Sequence, residues 1–304
     1  MNQFAVVTDS AADIPLALAE KWGIHVVPLH VVFQGKDYRD GVDITTPELL
    51  RMMDGAEALP VTSQPTPADF LEVYKELFEA GYTQILSIHL ARALSATIES
   101  ARAIAGQIPE GLRLEVVDSC TATVAQGAMV LEAAVIAQRG GTIEEALERI
   151  DAIRRSYHIY FSPDTLDNLV KGGRATKAQG FATTLLNIKL VIGLLEDGSI
   201  EVEKKAKGVK GAISHMAKQV AADAEATGEL IYYVLHTNQR ERAYQIAETI
   251  KKTGAPVREL TEGTIGPVIA THVGEGAIGI FTMPAALHAP ELDDLADYLT
   301  PNFS

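Results

Sequence analysis

The chain contains one cysteine and one tryptophan in 304 residues, and aromatic residues make up only 6% of it. A single thiol excludes an internal disulfide and a cysteine-rich zinc site. It fits a reducing compartment. Positive charge is also short, with 26 Lys and Arg against 40 Asp and Glu, a formal net charge of −14. That balance argues against a general nucleic-acid binder, because phosphate contacts need clustered Lys and Arg. It also argues against broad adsorption to anionic membranes. No long apolar run is present. The stretch Leu190–Leu195 falls far short of the roughly 20 residues of a membrane helix. The opening segment MNQFAVVTDS lacks the basic and apolar regions of a secretory signal. The expectation is a soluble, cytoplasmic protein.

What is present is apolar patterning, at 47% hydrophobic residues and 22% charged. This is a globular composition, and its length suits two domains. The first half alternates short β-branched runs with helical periods. Phe4–Val7, Ile24–Phe33, Ile85–Ile88 and Leu114–Val117 read as strands. Helices are predicted over Pro67–Gly81, Ser95–Ala105, Thr123–Gln138 and Ile143–Arg154, with Asp13 as N-cap of another that includes Pro15. Such alternation predicts a three-layer α/β/α domain with a mostly parallel sheet over residues 1–153.

The second half reads differently. Ile188–Leu195 and Ser199–Lys204 flank Asp197-Gly198, a strong hairpin signal. Tyr157–Phe161 and Leu230–Leu235 read as further strands, and Ile269–Thr271 and Ala277–Thr282 as closing strands. Helices are predicted over Pro163–Val170, Lys207–Ala226 and Arg240–Lys251. Residues 154–304 are therefore expected to form a second α/β domain with a mixed sheet. Charge divides unevenly. Residues 1–153 hold 10 basic and 22 acidic residues, whereas Lys171–Lys218 holds nine basic and four acidic ones. That stretch is either a solvated face or a docking patch for an acidic partner or a phosphate.

Four polar groups follow strands or precede helices: Thr8-Asp9-Ser10, Thr62-Ser63-Gln64, Ser95-Ala96-Thr97 and Asp118-Ser119. Ligands of open α/β sheets bind beyond the carboxyl ends of the strands. Exposed N–H groups at helix starts suit carboxylates or phosphates, although Ser, Thr and Asp also serve there as simple caps. His272 lies among glycines in Thr271–Gly276, and Arg174 follows two glycines in Lys171–Arg174. Arginine favours planar recognition of carboxylate or phosphate. No P-loop, HExxH or GxSxG motif occurs. The GxGxxG match at Gly274–Gly279 lacks a following helix. Asp118 beside Cys120 disfavours a thiolate.

Taken together, Thr8–Pro15, Thr62–Pro65, Leu94–Thr97, Val117–Ser119, Lys171–Arg174, Asn187–Lys189 and His272–Gly276 resemble the DegV family, in order along nearly the whole chain. The resemblance implies two α/β domains with a fatty acid in the cleft between them. It implies that Thr62, Ser95 and His272 hold the carboxylate, and that Arg174 meets a partner or a phosphate. It further implies a non-catalytic carrier with no catalytic residue, metal or cofactor. Such a carrier presents its long-chain fatty acid to a kinase with a dihydroxyacetone-kinase-like domain, and the acyl phosphate feeds phospholipid synthesis. The chain departs from the family pattern at Ala91, Arg92, Ala96, Leu190, Lys207 and Glu275. Two other readings stand beside this one, the first using the same residues. One is an enzyme on a small carboxylated or phosphorylated substrate, with Asp9 or His272 as acid or base. The other is a regulator that binds a partner through the basic stretch.

Overall fold

The computed structural model describes residues 3–175 and 187–295. The chain opens on β1 (Ala5–Asp9), whose five residues are all buried. A strand without an exposed face belongs in the middle of a covered sheet. The chain then forms helix α1 (Leu16–Trp22) and returns as β2 (Ile24–Val27). A small excursion follows: β3 (His30–Phe33), β4 (Lys36–Arg39), α2 (Thr46–Met53) and β5 (Val61–Ser63). Helix α3 (Pro67–Glu79), β6 (Gln84–His89), α4 (Thr97–Ala103) and β7 (Arg113–Asp118) complete the first sheet. Its order is β2-β1-β6-β7, all parallel. The winding direction reverses between β1 and β6, so the crevice beyond their carboxyl ends is the place for a ligand.

Two helices then cross between the halves, α5 (Thr123–Gln138) and α6 (Ile143–Arg154). α5 carries almost no charge and is buried on nearly every side, the pattern of a helix inside a core rather than on a surface. It joins one continuous apolar cluster holding Phe4 and Leu86 of the first sheet region and Phe281 and Met283 of the second.

The remaining elements are β8 (His158–Ser162), α7 (Asp167–Lys171), β9 (Ile188–Leu194), β10 (Ile200–Lys207), α8 (Gly208–Thr227), β11 (Leu230–His236), α9 (Arg240–Lys251), β12 (Val257–Thr264), α10 (Pro267–Val273) and β13 (Ile278–Pro284). Six strands form a mixed sheet ordered β10-β9-β8-β13-β11-β12, in which only β11 and β12 run parallel. The expected hairpin is β9-β10. Its turn residue Gly198 has φ +80°, and a Cβ there would stand 2.4 Å from the Ala91 side chain and 2.7 Å from the Cys120 carbonyl. Glycine is therefore needed twice over, for the turn and for docking the hairpin onto loops of the first half.

Three local expectations are corrected. Asp13 is not the N-cap of α1; it ends a short 3-10 turn in the left-handed conformation, and Pro15 caps α1. Ile269–Thr271 is not a strand but the middle of α10, which starts at Pro267 and stops at Gly274. The β-branched residues mislead here, because tertiary packing overrides propensity in so short a segment. Thr62 does not precede a helix directly. It lies in β5, paired with Val31 in a small antiparallel sheet ordered β4-β3-β5. The helix after it is capped by Thr66.

Candidate functional site

At the carboxyl end of β1, Asp9 accepts from the backbone N–H groups of Ala11 at 3.1 Å and Leu90 at 3.0 Å. It also accepts from Gln126 Nε2 at 3.2 Å and meets His89 Nδ1 at 2.9 Å. His89 Nε2 meets Ser87 Oγ at 2.7 Å, and Ser87 in turn meets the Tyr74 hydroxyl at 2.7 Å. The spacing copies that of a serine, histidine and aspartate catalytic set. All three side chains are fully buried, however, so no substrate reaches them. This network is scaffold. It fixes the loop after β6, whose residues Leu90, Leu94 and Ser95 face a cavity. Asp9 itself does not line that cavity, which removes it as an acid or base there.

The cavity lies between the carboxyl edge of the first sheet and one face of the second. Its void, counted together with the part open to solvent, amounts to about 950 Å³. Most of its wall is aliphatic, drawn from both halves: Leu29 and Leu90 on one side, Ile159, Leu194, Ile200 and Leu235 on the other. α10 supplies Val268, Ile269, His272 and Val273, two adjacent pairs four residues apart and so one face of the helix.

Thr62, Ser95, Arg174 and His272, distant in sequence, all stand on this one wall. Thr62 Oγ1 lies 2.9 Å from His272 Nε2. Ser95 Oγ meets Thr97 Oγ1 at 2.9 Å and accepts weakly from the Thr97 N–H at 3.3 Å, so it braces the start of α4 while facing the cavity. Arg174 donates from Nε to the Leu94 carbonyl at 3.2 Å and from Nη1 to the Gly172 carbonyl at 2.6 Å. Among the described residues no carboxylate pairs with it, and burial alone lowers its pKa. Gly172 is needed for contact rather than for its backbone angle. A Cβ there would stand 2.5 Å from His272 Nδ1.

Burial, reinforced by the nearby Arg174 charge, holds His272 down to about 4 from an ordinary value of 6.5. His272 is therefore neutral at pH 7. An unfolded histidine takes up its proton below about 6.5, while the folded one resists until about 4. This contribution to stability is complete above the higher value and is lost as pH falls toward the lower one. We expect the urea midpoints of ligand-free protein at pH 7.5 and 4.5 to lie closer together in His272→Gln than in the wild type. An unchanged gap would contradict this assignment.

The other candidates are structural. The Asp118 carboxylate accepts from the Cys120 N–H at 2.8 Å, and Ser119 Oγ donates to the Thr121 carbonyl at 3.1 Å. Burial first, then Asp118, raises the Cys120 thiol above its ordinary value, so it is no ready nucleophile. Two departures from the family pattern bring no charge into the cavity. Arg92 pairs with Glu99 at 2.8 Å on the surface, and Glu275 accepts from Asn238 at 2.9 Å. Part of the basic stretch is neutralised, since Lys189 pairs with Asp164 at 2.6 Å. Lys177 lies outside the described residues. Thr123, which the sequence marks only as a helix start, also lines the cavity. Among the described residues no cluster of His, Cys, Asp and Glu could hold a metal ion, and no helix is long and apolar enough to cross a membrane.

Comparison with known proteins agrees with this geometry. The family model described as uncharacterised protein, DegV family, matches residues 3–285. A DegV domain-containing protein of Listeria innocua is 34% identical over 284 residues, covering 92% of this chain and 98% of its own. A solved structure described as fatty acid binding of a DegV family protein from Thermus thermophilus superposes with a TM-score of 0.87 at 36% identity, covering 93% of this chain and 100% of that one. DegV of Bacillus subtilis, described as a fatty acid binding protein, superposes with a TM-score of 0.83 at 31% identity, over 93% and 99% of the two chains.

Proposed function

This chain belongs to the DegV family, and from that premise we propose that it binds a long-chain fatty acid in the cavity between its halves. The observation that carries this reading is the pairing of a largely aliphatic wall with a half-buried arginine that has no carboxylate partner among the described residues. A fatty acid supplies both complements. Its chain removes apolar surface from water at about 0.8 kcal/mol per methylene, and its carboxylate answers the unpaired charge. Thr62, Ser95 and His272 hold that carboxylate. Two hydroxyls can donate to it, and the imidazole Nε2, now shared with Thr62, can turn one proton toward it. Arg174 supplies positive potential at the same end.

The bound acid is presented, not transformed. We place the division between the two domains at residues 153 and 154, with the acid lying across it. The carboxylate meets a kinase carrying a dihydroxyacetone-kinase-like domain, which phosphorylates it to an acyl phosphate in the cytoplasm, and Arg174 then faces the transferred phosphoryl group. The carrier needs no metal or cofactor of its own for this role. Native mass spectrometry of gently purified protein tests the reading. The expected result is a mass increment that resolves, after denaturation, into one or more fatty acids. An increment of a small polar metabolite would favour an enzyme instead.

A further inference from the structure

The groups assigned to the carboxylate leave one buried polar side chain on the cavity wall unexplained. Thr123 is 6% exposed, and its Oγ1 is buried with no hydrogen-bond partner. Its φ is +58°, which for a β-branched residue is an outlier. Backbone strain of this kind persists where the surroundings over-determine it, often at ligand sites. Thr123 is also the first residue of α5, a helix of 16 residues whose N-cap, Ala122, offers no side-chain bond. The first N–H groups of a helix have no partner within it. The setting is otherwise apolar, since Ala122 packs with Leu29, Leu90 and Val268, which line the same cavity. None of the hydrogen bonds made by Thr62, Ser95, Arg174 or His272 involves Thr123.

We infer that the N-terminus of α5 and the Thr123 hydroxyl form a second polar subsite inside the cavity, built to receive an oxygen carried on the acyl chain. The preferred ligand is then a hydroxy- or oxo-fatty acid rather than a plain hydrocarbon acid. The inference rests on the fatty-acid reading above. A methylene placed there leaves the hydroxyl unpaired, whereas a chain hydroxyl or ketone accepts its proton and faces the positive end of the helix.

The test uses the full chain stripped of lipid, titrated calorimetrically with stearate and with stearates bearing one hydroxyl at the 9, 10 or 12 position. One isomer is expected to bind about tenfold more tightly than stearate, the effect of a single buried hydrogen bond. Thr123→Val keeps the branched shape and removes the hydroxyl. It should erase that preference and leave stearate binding unchanged, and Thr123→Ser should retain the preference. Matching melting curves would establish that both variants fold. A wild type that favours no isomer would overturn the inference, as would a Thr123→Val protein that keeps the preference. Equal weakening of stearate and hydroxystearate in Thr123→Val would assign Thr123 to the carboxylate and overturn it too. Failure of every acid to bind would overturn the fatty-acid reading as well, so the two failures are distinguishable.

Discussion

Octanoate is expected to bind this protein about four orders of magnitude more weakly than palmitate. The two acids share a carboxylate and differ by eight methylenes. At about 0.8 kcal/mol each, these amount to about 6 kcal/mol, or roughly 10⁴ in affinity. The prediction follows from the wall of the cavity. Ile159, Phe161, Leu194 and Leu235 stand on three strands of the second sheet and face Leu29 and Leu90 of the first half. None of them offers a polar group to a short acid. Isothermal titration of stripped protein with acids of even length from eight to sixteen carbons measures the slope directly. Equal affinity across the series would mean that only the carboxylate is recognised, the behaviour expected of an enzyme for a small acid.

The second large effect is expected at Arg174. Its guanidinium is anchored by the Leu94 and Gly172 carbonyls and has no acidic partner among the described residues. Arg174→Met keeps much of the apolar stem and removes the charge. Fatty-acid affinity should fall about tenfold, the usual weight of one charge-assisted hydrogen bond. The rate of acyl-phosphate formation in a reconstituted reaction with the kinase, at saturating fatty acid, should fall by about 100-fold or more. That is the typical cost of removing one group that faces charge developing in a transition state. Arg174→Lys should rescue little, because an ammonium cannot keep both carbonyl bonds and still present a fork of donors. A variant that binds and supports phosphorylation as the wild type does would remove Arg174 from the account.

The sequence made some of this readable and hid the rest for physical reasons. β1 and α5 are legible because their burial on all sides leaves continuous apolar runs. The β9-β10 hairpin is legible because Asp197-Gly198 specifies a local turn. Thr62 is legible through its motif, yet its place in β5 depends on pairing with Val31, which no local pattern encodes. The β-branched residues of α10 suit a strand in isolation, and only packing against α2, α7 and β3 makes them a helix. Asp9 reads as a candidate acid or base in the sequence, but its partner His89 lies 80 positions away, and burial of both becomes visible only in the fold. The unpaired hydroxyl and positive φ of Thr123 have no signature in composition at all.

The central claim is that this cavity holds a long-chain fatty acid by its carboxylate. Calorimetric titration of the stripped protein with palmitate, compared with palmitate methyl ester, tests it most directly. The account predicts one-to-one saturable binding of palmitate with Kd on the order of 1 μM or below, and much weaker binding of the uncharged ester. No saturable binding of palmitate, or equal binding of acid and ester, would contradict it.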